Sequence, residues 1–170
     1  SSYLESARVM IESNFLEWNI NASRPPGYPL FIALIWKIFG DWKIAVPVIQ
    51  HLVGIFSAIL IFFIVKKNSS NRVIALLAGV VFPNTISCID YEHVILSESI
   101  YSFFIILSIV LLTKSSKNKA YLLSGIFWGF ASLIKPIAFY SLFFVLIFFL
   151  LARTKVRCIQ GVVFFLGAMV

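Results

Sequence analysis

The sequence predicts an all-α integral membrane protein, a multi-span helical bundle with a large first outer loop that carries amphipathic and interfacial helices. Three observations predict it. Hydrophobic residues make up 61% of the 170 residues and charged residues 12%, where soluble domains run nearer half and a quarter. The apolar residues gather into runs close to the roughly 20 residues that cross a bilayer. The charges are segregated, with basic residues in short loops between those runs and acids elsewhere.

The first element is the stretch SSYLESARVMIESNFLEW, where Leu4, Ala7, Ile11, Phe15 and Trp18 recur at helical spacing and Glu5, Glu12 and Glu17 lie off the stripe. That pattern predicts an amphipathic helix lying along the outer surface. NASRPPGYPLFIALIWKIFGDWK follows, and its apolar run 28–39 is too short to cross, so it predicts an interfacial or re-entrant helix. Pro25, Pro26, Gly27 and Pro29 set a sharp entry into it. Residues 1–43 then form one outer loop folded onto the membrane, and a loop of that size is usually functional.

Residues 44–170 read as the transmembrane bundle. Spans are expected at 44–65, 73–89 and 94–113, followed by 120–152, which is 33 residues interrupted only by Lys135–Pro136. As one helix the last would be about 50 Å long, too much for a single crossing. Dividing it at Lys135–Pro136 yields two short spans, and a further one starts near Ile159 after RTKVR. The expectation is about five complete spans and the start of another, within an internal piece of a longer chain. It opens without an initiator Met or signal pattern and closes inside the apolar run GVVFFLGAMV.

The charges support that division. Loops 66–72, 114–119 and 153–157 fall on one side and hold Lys66, Lys67, Arg72, Lys114, Lys117, Lys119, Arg153, Lys155 and Arg157, nine of the fourteen basic residues and no acid. All seven acids fall on the other side or its interface. The positive-inside rule makes the first side cytoplasmic. The same placement accounts for the net charge of +7 without nucleic acid. Cys88 and Cys158 are too few for a disulfide framework and fall on opposite sides, so no pairing is expected. CIDYEHVILSES then gathers Asp90, Glu92, His93 and Glu98 at the outer face. Ionised groups there avoid a cost of roughly 2.5–3.5 kcal/mol each at the bilayer centre.

Four stretches carry a family resemblance. RPPGYPLFIALIWKIFG resembles the end of the first outer loop in the GT-C membrane glycosyltransferases, the polyprenyl-phosphate-sugar-dependent enzymes that include protein mannosyltransferase and aminoarabinose transferase relatives. YEHVILSESIYSFFIILSIVLL is similar to a second stretch of theirs, a Tyr, then Leu-Thr/Ser-Glu, then a long apolar helix. GIFWGFASLIKPIAFYSLFFVLIFFLL resembles a third, Gly-rich with an Arg-Pro pair between two spans, and SYLESARVM is similar to the start of the loop helix. The stretches occur in family order and cover most of the chain. Two departures stand out. The family's catalytic Asp, matched through Tyr3-Leu4, falls upstream of Ser1. Its Arg-Pro is Lys135–Pro136 here, which keeps the charge and loses the two-pronged fork.

The resemblance implies sugar transfer from a polyprenyl-phosphate-sugar donor to a glycan, lipid or protein hydroxyl at the outer face of a bacterial-type plasma membrane. Such a reaction needs a carboxylate base, positive groups or a metal ion for the departing phosphate, and an apolar groove for the lipid tail. Glu98 matches the second acidic position and is the candidate catalytic residue, orienting acceptor or donor. Arg24 and Lys135 are candidate phosphate partners, being basic on the side where most basic residues are excluded. Asp90, Glu92 and His93 are candidate substrate-binding residues, and His93 with the carboxylates could complete a site for a divalent metal ion.

Each has a structural reading too. Glu98 would cap its helix, Asp90 and Glu92 would be solvated loop charges, Arg24 would snorkel to headgroups, and Lys135 would anchor a tight turn. His51 reads as a hydrogen-bonded interior residue, and the Phe-rich stripe at 139–149 as lipid-facing and interhelical packing. Two other functions compete. A transporter would place ionisable residues deep in repeated broken spans, whereas here there is no repeat and the polar residues lie at span ends. A non-catalytic membrane scaffold is the second.

Overall fold

The computed structural model describes residues 2–12, 25–69, 71–82, 97–114, 117–151 and 155–169. Among the described residues there are eight α-helices and no strand. In chain order they are α1 (Ser2–Glu12), α2 (Gly27–Phe39), α3 (Trp42–Asn68), α4 (Arg72–Val81), α5 (Glu98–Lys114), α6 (Asn118–Ile134), α7 (Pro136–Leu151) and α8 (Lys155–Ala168).

Local chemistry sets the boundaries. α2 begins just after Pro26 and stops at Gly40, whose φ of 73° suits a residue without Cβ and whose N–H turns back to the Trp36 carbonyl. Asp41 then caps α3, its Oδ1 accepting from the Lys43 N–H at 3.0 Å. α3 runs 27 residues, about 40 Å, and among the described residues it is the one helix long and apolar enough to cross a membrane. Lys66 and Lys67 lie in its last turn, where the exposed carbonyls favour positive charge. Asn71 caps α4 in the same way, accepting from the Val73 N–H at 2.9 Å.

The long apolar run 120–152 is interrupted where its length demands. α6 ends at Ile134, Lys135 is extended at φ −137° and ψ 122°, and Pro136 opens α7. A residue before proline is pushed out of the helical region by the pyrrolidine ring. α8 begins at Lys155, and its apolar part runs from Ile159 to Ala168, where the further span was expected to start. One expectation needs correction. In α1 the covered positions are Ala7 and Met10, with Tyr3 and Leu4 packed alongside, while Ile11 is exposed. The buried stripe is turned by about one residue from the expected one, with Met10 in place of Ile11 packed in the cluster that α1 shares with α2.

The helices pack in two clusters. The first joins α1, α2, the start of α3, the start of α5 and the end of α6 through Ala7, Met10, Tyr28, Ile32, Val46, Ile100 and Ile134. The second joins α6, α7 and α8 through Trp128, Ala131, Ala138, Leu142, Phe149 and Phe164. In the second, the helices meet backbone to backbone: a Cβ on Gly125 would run into the Phe164 carbonyl, and one on Gly167 into that of Leu122. Small residues permit that approach in bundles where lipid supplies no hydrophobic drive. α5 and α6 are tied by a buried pair of serines. Ser108 Oγ donates to the Ser124 carbonyl at 2.9 Å and Ser124 Oγ to the Ser108 carbonyl at 2.8 Å. Large apolar side chains cover the outside, among them Leu52, Ile55, Phe56 and Phe63 on α3 and Phe139, Phe143 and Phe144 on α7. Such a continuous apolar exterior belongs against lipid or protein, not water.

Candidate functional site

Three of the stretches that carried the family resemblance meet at one end of the bundle. The start of α2 lies directly on the end of α6. A Cβ on Gly27 would stand 2.8 Å from the Leu133 carbonyl carbon and oxygen and 3.0 Å from Ile134 Cγ1. Only glycine lets RPPGYP close on the backbone that leads into Lys135.

Tyr28, the next residue, is fully buried. Its ring meets Tyr3 edge-on, with centroids 5.1 Å apart, and stacks on Phe31. The hydroxyl accepts a hydrogen bond from Gln50 Nε2 at 3.2 Å, reaching from α2 to a fully buried amide on α3. Burial, and after it the negative charge of Glu98 and the neighbouring Tyr3, pushes the Tyr28 hydroxyl above the ordinary phenol range. It therefore stays protonated and neutral.

Glu98 opens α5, where the helix N-terminus favours its charge. Its Oε1 accepts from Lys135 Nζ at 2.5 Å, with the two side chains 28% and 30% exposed. The ammonium also lies 5.8 Å from the Tyr101 ring centre, on the face that attracts cations. The other carboxylate oxygen, Oε2, is buried and has no hydrogen-bond partner among the described residues. A carboxylate in apolar surroundings that keeps one oxygen unspent can still accept from a hydroxyl brought to it.

Glu98 and Lys135, predicted for separate roles, thus form one unit. The extended backbone that Pro136 imposes takes Lys135 off the helix, and the pair links α5 to the α6–α7 turn. Arg24, Asp90, Glu92 and His93 lie outside the described residues. Among the described residues no three His, Cys, Asp or Glu side chains come together, and Glu98 is already matched by an ammonium. The described part of the site does not fit a divalent ion.

Sequence reasoning missed Tyr28, Gln50 and Tyr101. The signals were present but faint. Tyr101 is three residues from Glu98, hence on its helix face. Gln50 is a polar residue in an apolar span, directly before His51; His51 itself is half-buried, and Gln50 takes the interior position.

Among the described residues the chain is all-helical, with an apolar exterior and an acid paired with a base at one end of the bundle. The family model for dolichyl-phosphate-mannose-protein mannosyltransferase matches residues 23–170, and the chain belongs to this family, within the GT-C superfamily. Membership implies glycosyl transfer in general and membrane residence. No curated protein and no solved structure matches the chain.

Proposed function

We propose that this chain builds part of the extracytoplasmic site of a membrane glycosyltransferase, which moves a sugar from a polyprenyl-phosphate donor to an acceptor hydroxyl. The observation that carries the reading is the Glu98–Lys135 pair, held against the Tyr28 stretch by the Gly27 contact. As the bond from sugar to phosphate breaks, negative charge develops on the leaving phosphate. Lys135, already poised beside an anion, offers a cation that can turn to it. Glu98 then has both oxygens free to accept from hydroxyls of the sugar or acceptor and orient them. Tyr28 and Gln50 hold the floor of the site without adding charge. The acceptor's proton must go to a carboxylate base. Arg24, Asp90, Glu92 and His93 are assigned to substrate binding from the sequence pattern alone.

The test is Glu98→Gln in the full-length protein. That change keeps size and hydrogen bonding and removes the charge. Transfer is expected to fall at least about a hundredfold, the scale of losing one transition-state contact, with membrane expression unchanged. Turnover at the wild-type rate would take Glu98 out of the mechanism. The pair also suits a non-catalytic scaffold, as a link between α5 and the α6–α7 turn. A scaffold would tolerate the reversed pair, Glu98→Lys with Lys135→Glu, in its assembly function, and no sugar transfer would be lost.

A further inference from the structure

At the end of the bundle remote from Glu98, a crevice of about 380 Å³ opens between α3 and α5. Leu60, Phe63, Ile64 and Val110 line it, and Lys67 and Thr113 stand at its end. On α3 these positions recur at helical spacing, so one face presents an apolar rail roughly two turns long that finishes in a cation. Lys67 Nζ donates to the Thr113 carbonyl. That bond uses one of three ammonium protons and fixes the charge at the crevice mouth. Thr113 Oγ1 donates to the Val110 carbonyl at 3.0 Å, so its hydroxyl proton is already engaged. Lys66 lies beside it, 5.6 Å from the Phe62 ring centre. Loops 66–72 and 114–119 around it contain no acid.

We propose that this crevice binds an anionic phospholipid, its acyl chain along Leu60, Phe63, Ile64 and Val110 and its phosphate on Lys67. A crevice with these walls, open to the bilayer, is filled by an acyl chain because lipid is the surrounding solvent, with no apolar preference for one lipid over another. The headgroup decides which lipid stays. A zwitterionic headgroup brings its own ammonium up to Lys66 and Lys67, whereas an anionic one meets only attraction.

The experiment is native mass spectrometry of the full-length protein released from detergent. It is loaded with equal amounts of phosphatidylglycerol and phosphatidylcholine of matched acyl chains. Wild type is expected to retain one phosphatidylglycerol under activation that strips phosphatidylcholine. Lys67→Gln should lower that retained fraction about fivefold, the worth of one lysine at an anionic headgroup. Val110→Trp, which fills the crevice and leaves the charges in place, should lower it as much. Lys119→Gln, on the same basic side but outside the crevice, should not. Equal retention of the two lipids would overturn the proposal. So would an unchanged Lys67→Gln or Val110→Trp, as expected if another segment of the chain covers the crevice, or a loss in Lys119→Gln equal to that in Lys67→Gln.

Discussion

α6 takes part in two very different contacts. Along its middle it meets α8 through Gly125, whose missing side chain brings the two backbones together. At its end it meets α2 and α5, and there the same chain holds Tyr28, Gln50, Glu98 and Lys135. The first seam is apolar and needs only close approach, a demand of any helical bundle in lipid. The second keeps an ion pair about two-thirds buried beside the Tyr101 ring. Apolar residues of similar size would be about as stable there, or more so. The difference separates a contact that close packing explains from one that packing alone does not require. On the proposed reading, a charge pair that stability does not require is kept for substrate.

That division can be broken most forcefully at the seam. Gly125→Leu puts a branched side chain where the Phe164 carbonyl already sits, so α6 and α8 must separate. Overpacking of this kind costs ~1–3 kcal/mol or more, and with backbone on the far side little monodisperse protein is expected in size-exclusion chromatography. Recovery of wild-type yield would show that the seam carries no such constraint.

At the polar junction the effect should fall on turnover more than on folding. Lys135→Met removes the cation and leaves Glu98 alone beside Tyr101. Transfer should drop roughly a hundredfold or more, and the thermal transition should shift by only about 1–3 kcal/mol, since both side chains keep some contact with solvent. Lys135→Arg, which restores the family's residue, should retain activity. A Met variant as active as wild type would make the pair merely structural.

A smaller effect is expected at the approach that brings the two stretches together. Gly27→Ala sets a methyl group 2.8 Å from the Leu133 carbonyl, so α2 must lift by several tenths of an ångström. The expected cost is ~1–2 kcal/mol in thermal unfolding, with a larger relative loss in turnover as Tyr28 moves from its place. Equal losses in both would place Gly27 with the packing seam. Least of all is expected from Gln50→Leu, which deletes the hydrogen bond to Tyr28 and fills the same volume. One such bond contributes about 0.5–1.5 kcal/mol, and turnover should change less than tenfold.

Much of this was legible before any coordinates. Pro136 announced the break in the long apolar run, because a proline disturbs the residue before it wherever it occurs. Glu98 and Lys135 each stood out as ionisable residues at the edges of apolar runs. Their partnership did not, since the two are 37 positions apart and nothing periodic connects them. Gly27 read as part of a turn, and its role as a contact point for Leu133 depends on which helix arrives there. The stripe on α1 was misjudged by one residue for the same reason. Helical spacing says that some face is apolar, while the neighbour selects the face.

Composition, run length and the placement of prolines and charges were therefore enough for helices, their breaks and a lipid environment. Those properties follow from backbone sterics and from the cost of putting polar groups into hydrocarbon, and both act on residues close together in the chain. Which helices touch, and so which acid finds which base, was settled only in the folded bundle. Shape complementarity between distant segments makes that choice, and a single glycine at the point of contact can decide it.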